Sequence, residues 1–163
     1  MDGFITGGWL DYFSLGKVGA GGWVTDKGAT YFKHKYDTTS EEFQVSLLKH
    51  EGQHFFDLKR HPKMQSADLE YRAKLVELIY YNDMKCFLNF LERKSNDDIR
   101  THPHSYAERK IVQGLSNRIF GRDLEECHDI WMTVRKKIPV VSLELLKEHS
   151  KELLNWDGES CII

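Results

Sequence analysis

Residues 39–59, TSEEFQVSLLKHEGQHFFDLK, carry the most informative pattern of the chain, His50-Glu51-Gly52-Gln53-His54, inside a run that reads as one helix. Thr39 with Glu42 three residues on makes a capping box, which predicts a helix to about Lys59. Phe43 and Leu47 lie at helical spacing with His50 and His54, so the four share a face. Residues four apart stack on that face, which lets both imidazoles reach a single ion. Glu51 is turned about 100° away, towards a water on that ion. The blander reading makes both histidines interior residues that continue the apolar face. It leaves Glu51 as a neighbouring buried carboxylate with nothing to offset the cost of its burial.

A zinc ion used in catalysis needs a third protein ligand and keeps its fourth position for water. Pro62 separates the first helix from a second, which Ser66 or Asp68 caps and which runs to about Leu91. Its apolar residues lie nearly all round it, as expected of a central buried helix. In antiparallel helices, residues equidistant from the turn face each other. His54 and Glu70 are centred on Pro62, and Glu77, one heptad along, pairs similarly with His50, so geometry alone leaves both glutamates open. The plainer reading of Glu70 is an exposed i,i+4 pair with Lys74. Asp57, three residues after His54, either orients a ligand imidazole through its free ring nitrogen or pairs with Arg60.

At these residues the chain resembles the gluzincins, zinc metallopeptidases that combine His-Glu-x-x-His with a downstream glutamate ligand. In several gluzincin families that ligand opens a Glu-x-x-Ala stretch; Glu70-Tyr71-Arg72-Ala73 matches it, and Glu77-Leu78-Ile79-Tyr80 does not. His61 does not fit the alternative metzincin pattern, because the places that would hold its third histidine and its glycine hold Arg60 and Asp57. The resemblance covers about residues 20–80. It departs from the best-known members in the short spacing from His54 to Glu70 and in Arg72, which stands where related motifs are often acidic. What it implies is a zincin-like α+β domain, Zn2+ held by His50, His54 and Glu70, and Glu51 as the general base of peptide-bond hydrolysis. It also implies a strand that pairs with extended peptide or protein substrate, a part open to Ala29–Tyr36 or to residues 19–23. Gluzincins stabilise the oxyanion with a His or Tyr from a later region; here that points to His104 in catalysis, with Tyr106 behind it. Read from its residues alone, His102-Pro103-His104-Ser105-Tyr106 is a helix-capping loop with exposed histidines.

The flanks complete the expected fold class. Eight of the twelve glycines fall in the first 28 residues, interleaved with Phe4, Trp9, Tyr12, Phe13 and Trp23. Aromatics alternating with glycine turns suit short antiparallel strands, the best pair being Gly22 to Thr25 and Ala29 to Tyr36 around Asp26-Lys27-Gly28. Beyond Asp37 the period is helical. Polar residues 92–100 form a loop, and further helices are predicted over Ser105–Phe120, Asp123–Lys137 and Ser142–Trp156. The expectation is α+β: a small N-terminal antiparallel sheet followed by a mainly helical core, one domain over residues 1–163, with an upstream segment left open.

Composition bounds the function. A formal net charge of -2 and a pI near 6.4 provide no global field for nucleic acid or anionic membrane. Cys86, Cys127 and Cys161 are odd in number and widely spaced, so neither a disulfide framework nor a cysteine zinc ribbon is indicated. No export signal or membrane span is read in the chain, which points to the cytoplasm. Phosphate-loop and nucleophile-elbow motifs are missing. Oligomeric state stays open. Two functional expectations result, a zinc metallopeptidase and, from another class, a non-catalytic zinc-binding module on the same scaffold.

Overall fold

The computed structural model describes residues 37–94 and 98–163, together with the backbone of two strands, β1 (Gly22–Thr25) and β2 (Gly28–Tyr31). A π-helical segment, Glu42–Lys49, runs straight into α1 (His50–Arg60). There follow α2 (Ser66–Tyr80), α3 (Lys85–Arg93), α4 (Pro103–Phe120), α5 (His128–Thr133) and α6 (Ile138–Glu152), with 3-10 turns at Arg135–Lys137 and Leu153–Asn155. No helix among the described residues is long and apolar enough to cross a membrane.

α2 is the axis of the fold. From Ala67 to Leu78 every residue but Leu69 is buried, because α1, the π segment, α4 and α6 all pack on it. Below it Phe87, Phe90, Ile111, Leu115 and Trp131 fill a single core, with the Trp131 ring 4.6 Å from that of Phe87 and 4.9 Å from that of Phe120. The Trp131 indole N–H donates to the Glu125 carbonyl, so the largest core side chain carries no unpaired polar atom.

These contacts overturn the α+β expectation. Helix makes up 72% of the residues described with their side chains, which contain no strand, and the fold is all-helical. The backbone of β1 and β2 pairs antiparallel over four residues only, Trp23 opposite Thr30 and Val24 opposite Ala29. Two such short strands have too little surface to stand as a sheet layer. The physical reason is that, among the described residues, the helices bury their apolar faces against one another around α2. The glycine- and aromatic-rich residues 1–21 and the remainder of the expected second strand, 32–36, lie outside the described residues, as do 95–97 of the expected loop.

Local chemistry explains the other differences. The first helix is capped by Ser40, whose hydroxyl accepts the Phe43 N–H; Thr39 is turned to Asp37 instead, so no Thr39–Glu42 box forms. The expected helix from Ser66 to Leu91 is two helices. Glu41 Oε1 accepts both the backbone and side-chain N–H groups of Asn82, and Asp83 Oδ1 accepts the Lys85 N–H, which ends α2 and starts α3 within five residues. Pro139 sits in the first turn of α6, where its missing N–H costs nothing.

The charges of α2 are all matched. Lys74 Nζ lies 2.9 Å from Glu108 Oε1, and Arg72 Nε 2.7 Å from Asp57 Oδ2. Asp68, fully buried, accepts from the backbone N–H groups of Ile162 and Ile163 and lies 3.1 Å from His149 Nε2. Burial alone would raise its pKa, but His149 and these N–H groups outweigh that and hold the carboxyl below the ordinary aspartate range. A depressed folded-state pKa contributes stability above the unfolded value and loses it as pH falls through the folded one. Asp68→Asn should therefore unfold more easily at pH 7 by about 1–3 kcal/mol in urea titrations. The gap from wild type should shrink as pH drops below 4; a constant gap would mean that the charge of Asp68 contributes nothing.

Candidate metal centre

His50 and His54 stand one turn apart at the start of α1, where π winding gives way to α: the His50 N–H still reaches the Val45 carbonyl five residues back. Phe43, Val45 and Leu47 are buried just upstream, which pins the helix against α2. α2 returns antiparallel through the turn at Pro62 and brings Glu70 opposite His54 and Glu77 opposite His50. The side chains of His50, His54 and Glu70 keep 11%, 14% and 10% of their surface, so the cluster is nearly enclosed but reachable.

Three donor groups converge there. The Nε2 atoms of His50 and His54 lie 2.9 Å apart, with the rings edge to face. Glu70 Oε1 is 3.3 Å from His54 Nε2, and Oε2 is 3.7 Å from His50 Nε2. Ligand atoms bound at 2.0–2.1 Å to a tetrahedral zinc are about 3.3 Å from one another, and the contacts of 2.9–3.7 Å, which involve both Glu70 oxygens, lie around that spacing. All the donor atoms fall within 4.8 Å. Among the described residues, two buried atoms of the cluster find no hydrogen-bond partner, His54 Nδ1 and Glu70 Oε2. His104 Nδ1 lies 2.8 Å from Glu70 Oε2, close enough for an ion pair but off the line that a hydrogen bond needs. A buried carboxylate that faces the Nε2 atoms of both motif histidines is a donor group that suits a cation. Burial opposes ionisation of Glu70, yet His104, His54 and His50 more than offset it and hold the carboxyl far below the usual range.

Glu77 has a different place from Glu70. Its Oε1 is 2.7 Å from His50 Nδ1, on the side of the ring away from the cluster. A carboxylate there receives the Nδ1–H, fixes the tautomer and leaves the Nε2 lone pair for an ion. Its other oxygen accepts from the Cys86 thiol at 3.6 Å. Burial and then the Glu77 charge push that thiol up, so it stays a protonated donor.

The remaining candidates divide. Glu51 is half-buried and, among the described residues, makes no hydrogen bond or ion pair. His104 stands at the exposed rim, and Tyr106 lies one turn inside α4 with Lys110 Nζ 5.4 Å from its ring centroid. Asp57 takes neither expected role: it is buried against Arg72 and Gln53, while Arg60 stacks on Phe56. Lys74, expected beside Glu70, pairs with Glu108. Glu77 as an orienter and Arg72 as a buried partner escaped sequence reasoning. The signal was there, since a helix apolar all round that also holds five charges must pair them with its neighbours. Comparisons of the chain with protein-family models, curated proteins and solved structures give no match.

Purified protein should carry about one zinc per chain by elemental analysis, and changing both His50 and His54 to Ala should abolish uptake. Glu70→Gln should weaken affinity far more than Glu77→Gln, whose loss of an orienting contact costs about 10–100-fold. The reverse order would make Glu77 the ligand.

Proposed function

We propose that this chain is a zinc-dependent metallopeptidase. The observation that supports it is the convergence of His50 Nε2, His54 Nε2 and the Glu70 carboxylate from two helices, with Glu51 in the turn between the two histidines. His50, His54 and Glu70 would hold the ion. Bound zinc supplies a Lewis acid for the scissile carbonyl and lowers the pKa of its water to about 7. Glu51 takes the proton from the attacking water and later returns it to the leaving amine. Glu77 keeps the His50 ring in one orientation throughout. His104, exposed at the rim, would offer a ring N–H to the oxyanion that develops on the scissile carbonyl. The β1 and β2 backbone lies against α1, and among the described residues each strand pairs on one edge only, which leaves the other for an extended peptide to join.

A second reading, a non-catalytic zinc-binding module for regulation or protein interaction, draws on the 2.8 Å separation of His104 and Glu70. His104 as a fourth ligand would close the coordination shell and leave no place for water. X-ray absorption of the zinc-loaded protein separates the two: His104→Ala leaves the first shell unchanged in the enzyme and removes a nitrogen ligand in the module.

Glu51→Gln should keep zinc and fold while losing peptide hydrolysis by about 10²–10⁴, the usual worth of general acid–base help. A peptide library read by mass spectrometry supplies the substrate for the comparison. Equal cutting by the variant would refute the assigned base.

A further inference from the structure

His50 and His54 are held by different means. His50 is oriented by Glu77, whereas His54 Nδ1 is buried with no hydrogen-bond partner among the described residues. Apart from its Nε2 contacts with His50 and Glu70, the placement of the His54 ring therefore depends on where the backbone of α1 lies. One turn beyond His54 a charged contact fixes that backbone: Asp57 Oδ2 receives Arg72 Nε at 2.7 Å and Gln53 Nε2 at 2.8 Å. Gln53 precedes His54 within the motif, and Arg72 follows Glu70 by two residues, so a single carboxylate oxygen ties the two ligand-bearing segments together. Asp57 and Arg72 keep only 1% and 6% of their side-chain surface. Arg72 continues through Nη1 to Ser150 Oγ at 3.0 Å and to His149 Nδ1 at 3.3 Å on α6, so it is braced from the far side as well.

We propose that Asp57 and Arg72 are positioning residues of the metal centre, which set the separation of His54 from Glu70; this rests on the metal-binding reading above. A buried ion pair is a weak source of stability, because desolvation of both charges offsets their attraction. What the pair supplies is register. Arg72 presents a planar fork with two separate directions, one along Nε to α1 and one along Nη1 to α6, and only a guanidinium can hold both helices at once. Sliding α1 along α2 breaks the fork before it disturbs the apolar contacts, which are non-directional.

The test uses the full chain and zinc alone, with affinity read by competition against a chelating dye at a temperature where circular dichroism shows each variant folded. Asp57→Asn and Arg72→Met should each weaken zinc binding about 10–100-fold, the range for supporting contacts of metal ligands. The double variant should lose little more than either single one, since both remove the same contact. Glu108→Gln breaks an equally buried pair on the α4 side of α2. It should lower stability while leaving zinc affinity within about twofold. Where Arg72→Met does not fold, Arg72→Lys keeps the charge without the fork and should still lose affinity. Unchanged affinity in folded Asp57→Asn, or an equal loss in Glu108→Gln, overturns the positioning role and leaves the metal centre standing. A wild-type chain that takes up no zinc overturns both.

Discussion

A helix that carries Asp68, Glu70, Arg72, Lys74 and Glu77 can occupy the middle of a protein only if each charge meets a partner as it leaves water. Leu75 and Leu78 draw α2 inward, and the charges then dictate what must stand beside it. Asp57 of α1 faces Arg72, Glu108 of α4 faces Lys74, His149 of α6 faces Asp68, and the two motif histidines face Glu70 and Glu77. Apolar burial supplies most of the driving force, but it is non-directional. The polar contacts select one arrangement of neighbours around α2, and the candidate metal centre is one part of that arrangement.

Seen this way, the site and the scaffold share a physical origin. Glu70 and Glu77 lie two turns apart on α2, and His50 and His54 one turn apart on α1, so the antiparallel pairing aligns both couples at once. Glu70 faces the space between the imidazoles, while Glu77 reaches the outer nitrogen of His50. Two carboxylates on one helix face, two turns apart, thus meet different sides of the histidine pair. Enclosure to about a tenth of their surface strengthens both interactions, since little water is present to screen them.

Much of this site was legible in the residue pattern. The four-residue spacing of His50 and His54 requires a shared helix face, and Pro62 as the centre of a hairpin pairs them with Glu70 and Glu77 by counting alone. Counting does not separate the two glutamates, because which ring nitrogen each approaches depends on the tilt of α1 on α2. Asp57 shows the same limit. Its neighbours in sequence offered Arg60 and His54, but Arg72, fifteen positions away, fills the buried position next to it.

The sequence by itself determined the helical period beyond Asp37, the face that carries His50 and His54, the return of the chain at Pro62 and the buried character of the second helix. These follow from local spacing and from the rigidity of proline, which act within one or two turns. Only the tertiary structure decided that the described residues build an all-helical core, that the second helix breaks at Asn82 and Asp83, that π winding precedes His50, and that Arg72 joins α1 to α6. Each of these depends on groups far apart in the chain: Glu41 reaching Asn82, Asp57 reaching Arg72, the sides of α2 closed by α1, α4 and α6. Spacing records which residues share a face, whereas the partner that a face meets is fixed by the simultaneous packing of all the helices.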